Sequence, residues 1–211
     1  MASPDRNPPA LHDRAIQDLS FIRRTMEGAA AFTDVPGWGL VGIGLSALLT
    51  AALAQGQPTA GRWLAVWIGE AALAASGGTA LLWFKMRRYG RASAEVPLSV
   101  PARKFFLGLL PAIIAGAILT IAMIDGAALA APVAQGIPAT LPALWLTLYG
   151  TGIVTAGIHS VRAVPLMGVT FMALGAVAGI GSPAVGAWTL ALGFGFTHIG
   201  FGVWIARRHG G

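Results

Sequence analysis

The sequence contains no cysteine and few charged residues. The absence of cysteine excludes disulfides, thiolate metal sites, iron–sulfur clusters and thiol nucleophiles. Charged residues make up 10% of the 211 residues, against about 25% in an average soluble domain. This composition is typical of a chain that lies mostly in lipid.

Six long apolar stretches take the place of the missing charges. Each approaches the length of about 20 helical residues that crosses a bilayer core. The stretches lack the alternation of polar and apolar residues that a barrel strand needs, so helices are expected. They cover residues 38–54, 63–84, 105–124, 141–159, 164–180 and 187–206. We therefore expect an all-α polytopic membrane protein with six transmembrane helices in three hairpins, preceded by a cytoplasmic amphipathic helix.

Glycine is abundant, with 29 residues, and small residues let membrane helices approach closely. The pair Gly175 and Gly179 matches the GxxxG pattern in the fifth stretch. A small-residue face in the fourth stretch is made by Gly150, Gly152, Ala156 and Gly157. These patterns predict tight packing or dimerisation without distinguishing between them.

The chain has a net charge of +6, and the positions of its basic residues match the expected topology. Thirteen of the 14 Lys and Arg residues precede the first stretch or follow the second, fourth and sixth, and Arg62 alone falls on the other side. By the positive-inside rule, both termini are expected to be cytoplasmic. The loops on the opposite side are expected at 55–62, 125–140 and 181–186. The predicted partner of this charge is the lipid bilayer, and no nucleic acid is expected.

The N-terminal part divides into two segments ahead of the bundle, which is expected over 35–211. Residues 1–10 are proline-rich and are expected to be disordered. Residues 11–34 are expected to form an amphipathic interfacial helix. Pro36 separates this helix from the first span, because a proline disfavours helical geometry in the residue before it.

One face of this N-terminal helix is a candidate docking face. Leu11, Leu19, Ile22 and Met26 recur at helical spacing and form one apolar stripe. In one interpretation the helix lies at the membrane interface or packs under the bundle. In the other it docks on a membrane protein partner or on a second protomer of a homo-oligomer.

Two ionisable residues inside the apolar stretches form a candidate intramembrane polar pair. Glu70 lies in the second stretch after Trp63 and Trp67, and His198 lies in the glycine- and phenylalanine-rich sixth stretch. An ionisable group in lipid is costly unless it is paired or hydrated. The two depths differ by roughly 6 Å at 1.5 Å per residue, so the side chains are within reach of each other. The pair is interpreted either as a structural hydrogen bond or as a proton relay.

No catalytic residue, cofactor or metal is expected. A metal site needs three or more ligands, and the candidates are limited to Glu70, His198 and Asp125. His159 and His198 differ by roughly 10 Å in depth, which argues against a haem held by both. Ser76 lies about one and a half turns from Glu70, a poor geometry for a nucleophile and its base. We therefore do not expect an enzyme.

Two segments resemble a group of small bacterial multi-pass membrane proteins. One is FIRRTME at 21–27 with VPGWG at 35–39, and the other is GFGFTHIGFGVWIARRHGG at 193–211. The resemblance spans the chain. It implies a six-helix fold in the bacterial inner membrane, and it implies no mechanism and no functional residues.

Two functions remain open on the sequence alone. The first is a non-catalytic membrane module or complex subunit with a cytoplasmic docking helix. The second is a small proton-linked transporter or channel that uses Glu70 and His198. A polar cavity that runs past Glu70 would favour the second, and a Glu70 hydrogen-bonded to a neighbouring helix in a closed core would favour the first.

Overall fold

A computed structural model describes five ranges of the chain. These are residues 15–22, 36–89, 100–129, 131–158 and 160–209. The expected disordered segment 1–10, the docking-face residues Leu11 and Met26, and His159 lie outside the described residues.

Every secondary-structure element within the described ranges is a helix, which confirms the all-α class. The first helix, α1, covers residues 15–22. The others are α2 (Gly37–Gln55), α3 (Ala60–Tyr89), α4 (Val100–Leu129), α5 (Ala131–Gly157), α6 (Ala163–Ile180), α7 (Pro183–Leu190), a π-helix (Ala191–Thr197) and α8 (His198–His209).

Five helical segments among the described residues are long and apolar enough to cross a membrane. They are Gly37–Gln55, Ala102–Asp125, Gly136–Gly157, Ala163–Ile180 and Pro183–Arg208. The last of these joins α7, the π-helix and α8 into one span. The expected second span is helical, within α3, but it is not one of the five. The fold is therefore that of a multi-pass membrane protein.

The structure corrects one sequence prediction, the loop expected over 125–140. Helix α4 continues to Leu129 and α5 begins at Ala131. Pro138 and Pro142 lie inside α5. Proline is tolerated in helices packed among other helices in lipid, because neighbouring groups satisfy the freed backbone carbonyl.

Helix α5 packs against α4 on one side and against α6 on the other. Helices α5 and α6 touch at Gly150 and Gly168, a contact that we call the glycine crossing. A Cβ added at Gly150 would lie 2.6 Å from the Gly168 carbonyl oxygen. A Cβ added at Gly168 would lie 2.7 Å from the Gly150 carbonyl oxygen. No side chain fits between backbones this close. The small-residue face predicted in the fourth stretch therefore serves packing within the chain.

Helix α2 packs against α3, the π-helix and α8. A Cβ added at Gly44 would lie 2.7 Å from the Gly195 carbonyl oxygen, and one added at Gly202 would lie 2.7 Å from that of Gly37. The start of α2 thus lies beside the last turns of α8, near Arg207. We call this end of the bundle the basic end, and the end near Gln55 and Pro183 the opposite end.

Candidate functional site

Glu70 lies on the buried face of α3 together with Trp63 and Trp67, at spacings of four and three residues. Its side chain is 7% exposed. Ser46 of α2 donates a hydrogen bond of 2.7 Å to Oε1, and Thr50, one turn further along α2, donates one of 3.0 Å to Oε2. The carboxyl group therefore links α2 to α3 through two hydroxyls.

Ser46 divides its single hydroxyl proton between two acceptors. Its Oγ lies 2.7 Å from the Glu70 carboxyl and 2.9 Å from the Ile43 carbonyl oxygen. Within the described ranges, the hydrogen-bond partners of the Glu70 side chain are the hydroxyls of Ser46 and Thr50. Each carboxyl oxygen thus accepts one hydrogen bond from α2.

His198 begins α8 directly after the π-helix and is 1% exposed. Its Nδ1 lies 3.0 Å from the Phe194 carbonyl oxygen, and its Nε2 lies 3.1 Å from the Tyr149 hydroxyl. Because a carbonyl only accepts, Nδ1 carries the proton, and in the neutral ring Nε2 accepts from Tyr149. Both ring nitrogens are satisfied in this arrangement.

An aromatic cluster surrounds this imidazole. Phe171 of α6 meets it edge-on with ring centroids 5.2 Å apart, and Phe194 stacks on it at 6.1 Å with the planes 17° apart. Tyr149 packs against both phenylalanines, at 4.9 and 5.3 Å. His198 is therefore enclosed by rings and its hydrogen bonds are made inside the bundle.

The π-helix explains how His198 reaches this position. Residues Ala191–Thr197 form a π-helix, in which a backbone N–H bonds to the carbonyl five residues back. The Thr197 hydroxyl also donates a hydrogen bond of 2.9 Å to the Leu192 carbonyl oxygen. Gly193 faces Leu146 and Phe171, and Gly195 faces Leu48 of α2. Glycine at both positions allows the wider helix to fit between its neighbours.

Glu70 and His198 have different hydrogen-bond partners, on different helices. A ring contact lies between the two groups: Trp67, three residues before Glu70, packs against Phe194, four residues before His198, with centroids 6.3 Å apart. A direct relay between the two candidates is not part of this arrangement, and their functional role stays a prediction.

A cavity of about 470 Å³ opens at the opposite end of the bundle, between α2, α3, α5 and α7. Glu70 does not line it but follows the lining residue Trp67 by three positions in α3. Its lining includes Trp63, Trp67, Trp188, Ala51, Ala54 and Gln57. Ala51 and Ala54 leave the space that the larger tryptophans border.

Trp67 is the deepest α3 residue that lines this cavity, and it is 4% exposed. Its Nε1–H is buried and has no hydrogen-bond acceptor. Leaving a buried donor unpaired costs roughly 1–3 kcal/mol. This unpaired donor is therefore buried behind the cavity wall and is not accessible from the cavity.

Trp63 is held in place by a stacking contact with α5. Trp145 of α5 stacks on it with centroids 6.0 Å apart and planes 6° apart. The Trp145 Nε1 donates a hydrogen bond of 2.9 Å to Thr120 of α4. One wall of the cavity is thereby fixed by two other helices.

Sequence reasoning found Glu70 and His198 and missed their partners. Ser46 and Thr50 are spaced by four residues in α2, which was a signal for a polar face. Tyr149 is one of two tyrosines in the chain, and its position inside a span was a signal for a buried hydrogen bond. The cavity was signalled by Trp63 and Trp67, but Trp188 is remote in sequence.

The candidate docking face is described in part. Leu19 and Ile22 of α1 are exposed, as are Ile16 and Phe21 beside them. This apolar surface is available for contact with a membrane or a protein.

Known proteins offer no further guide to the site. No family model, no curated protein and no solved structure matches this chain. Over the ranges that the structure covers, no three ligating side chains come together as a metal site would require.

Proposed function

We propose that the protein is a non-catalytic membrane module, a subunit or scaffold of a membrane assembly, with α1 as its cytoplasmic docking helix. The observation that carries this proposal is the way Glu70 is held. Its carboxyl is buried and hydrogen-bonded to Ser46 and Thr50 of the neighbouring helix. A residue engaged in this way links two helices.

In this proposal the bundle has six spans in three hairpins, with α3 as the sixth. Helix α3 has 30 residues, and at 1.5 Å per residue it is about 45 Å long, enough to cross the hydrocarbon core. The basic end faces the cytoplasm by the positive-inside rule, so both termini are cytoplasmic, in a bacterial inner membrane.

His198 supports the same proposal. Its two nitrogens are hydrogen-bonded and aromatic rings enclose it. A proton carrier has to exchange protons with water during each cycle, and this imidazole is suited instead to joining α5 to the last span.

Proton flux decides between the module and the proton-linked transporter. The full-length protein is reconstituted into liposomes that contain a pH-sensitive dye, and a pH step is applied with and without a potassium diffusion potential. We expect the decay of the pH difference to match that of protein-free liposomes, and Glu70→Gln and His198→Ala to leave it unchanged. A flux that the wild type carries and Glu70→Gln abolishes would overturn the module and establish the transporter.

The docking role of α1 is tested separately by the oligomeric state. The purified protein in detergent is sized by light scattering, as wild type and as Leu19→Glu with Ile22→Glu. A homo-oligomer that docks through α1 dissociates in the double variant, while the control Gln17→Glu, in the same helix, keeps its size. An unchanged size in both would remove the second protomer as the partner of α1.

A further inference from the structure

The cavity at the opposite end of the bundle has the composition of a cation site. Three of its walls carry tryptophan: Trp63 and Trp67 from α3, and Trp188 from α7. No lysine or arginine is among the described residues that line it. Its volume of about 470 Å³ is in the range of small-molecule sites.

A carboxyl group lies close to it along the chain. Glu70 follows Trp67 by three residues on the same face of α3, a rise of about 4.5 Å along the helix. The carboxyl accepts hydrogen bonds from two hydroxyls. A cation and a carboxylate attract each other strongly in a medium of low dielectric constant.

The aromatic wall is rigid before any ligand arrives. Trp63 is stacked on Trp145, and Trp67 packs against Phe194. A preformed cage loses little side-chain freedom on binding. Tryptophan is also the ring that attracts cations most strongly through its face.

We propose that this cavity binds a small organic cation of the quaternary-ammonium type, with the cationic head among Trp63, Trp67 and Trp188 near Glu70. The site is open at the end of the bundle that the topology assigns to the outside. This binding activity goes beyond the module proposed above and does not depend on it.

The test compares two probes of the same shape. Choline and its neutral carbon analogue 3,3-dimethylbutan-1-ol are titrated by calorimetry into the full-length protein in lipid nanodiscs. We expect choline to bind at least tenfold more tightly than the neutral analogue. Equal affinities, or no heat from choline at millimolar concentration, would overturn the proposal.

Variants locate the binding. Trp188→Ala is expected to weaken choline binding at least tenfold, and Glu70→Gln to weaken it about tenfold while the neutral analogue is unaffected. Trp38→Ala is the matched control, because Trp38 is 61% exposed and Trp188 is 63% exposed, at opposite ends of the bundle. A loss in Trp38→Ala as large as that in Trp188→Ala would place the binding elsewhere and refute the assignment.

A cavity-filling variant guards against misfolding. Ala51→Leu adds bulk at the cavity wall without removing a hydrogen bond. We expect it to abolish choline binding while the circular dichroism spectrum of the protein is unchanged. A folded Ala51→Leu variant that binds choline as the wild type does would show that the cavity is not the site.

Discussion

The α5–α6 half and the α2–α3 half of the bundle hold their polar groups in different ways. In the first, Gly150 and Gly168 bring two backbones into direct contact, and His198 is sealed among aromatic rings. In the second, a buried carboxyl is held by two hydroxyls near an open cavity. The comparison teaches that one membrane bundle can combine a close-packed half with a half that keeps space for a ligand.

The residues between Glu70 and the end of α3 extend this contrast. Gly77 and Gly78 have open space where a Cβ would lie, and Ser76 and Thr79 are exposed. By contrast, a Cβ added at Gly150, Gly168 or Gly175 would meet the backbone of the neighbouring helix. Glycine therefore occurs in two environments in this chain, one with open space beside it and one in close contact with another helix. A series of substitutions can distinguish the two.

The largest effect is expected from Gly150→Val, which breaks the glycine crossing. The added side chain meets the backbone of α6, which has no rotamer to adjust, so we expect a loss of about 3 kcal/mol in the free energy of unfolding. The measurement is unfolding by sodium dodecyl sulfate in mixed micelles, followed by circular dichroism. Gly77→Val is the control, and a change within about 0.5 kcal/mol is expected there. Equal losses in both variants would remove the distinction between the two halves.

The second prediction concerns the sealed imidazole. We expect His198→Ala to lower the free energy of unfolding by about 2–3 kcal/mol, because it leaves a void and deprives the Tyr149 hydroxyl of its partner. Phe196→Ala, in the preceding turn at an exposed position, removes more atoms and should change stability by about 0.5 kcal/mol or less. Comparable losses would mean that the aromatic cluster is not the stabilising unit.

A smaller loss of stability is expected when the Glu70 carboxyl of α3 is removed. Glu70→Leu leaves the Thr50 hydroxyl without its acceptor, so we expect a loss of about 1–2 kcal/mol. Ser76→Ala serves as the control on the same helix, since Ser76 bonds to its own backbone at Leu73. Tryptophan fluorescence during thermal unfolding reports both variants. If Glu70→Leu were more stable than wild type, the link between α2 and α3 would carry no net stabilisation.

The smallest predicted quantity is the coupling between Glu70 and His198. Because the two residues have separate partners, the effects of Glu70→Gln and His198→Ala should add, with a coupling energy below about 0.5 kcal/mol. A double-mutant cycle of the unfolding free energies measures it. A coupling energy well above this value would show that Glu70 and His198 interact, and it would support a relay between them.

Hydropathy predicted most of the fold, because in lipid every long apolar stretch must be a helix. Five of the expected spans are found, and the sixth stretch is helical within α3. The prediction failed over 125–140, where the region between two apolar stretches was expected to be a loop although α4 continues to Leu129 and α5 begins at Ala131, with Pro138 inside it. A membrane helix keeps its prolines because its neighbours and not water complete the hydrogen bonding.

The candidate site was predicted as a pair, Glu70 and His198, without the residues that hydrogen-bond to them. Glu70 and His198 stand out since ionisable groups are rare in lipid. Their partners could not be assigned, because a hydrogen bond between helices depends on the rotation of each helix about its axis. The hydropathy of a stretch does not contain that angle, so Thr50 and Tyr149 were missed. Cavities are still less visible, because they depend on helices that are far apart in sequence.

The π-helix at Ala191–Thr197 sets the phase of everything that follows it. A π-helix turns less per residue than the roughly 100° of an α-helix, so its residues complete about the same rotation as an α-helical segment that is roughly one residue shorter. Removing one residue from this segment would therefore restore ordinary geometry and keep His198 beside Tyr149 and Gly202 beside Gly37. Removing one residue from an α-helical part of the last span would instead turn everything after it by about 100°. The wide turn is thus the place where this span can lose a residue and keep its packing.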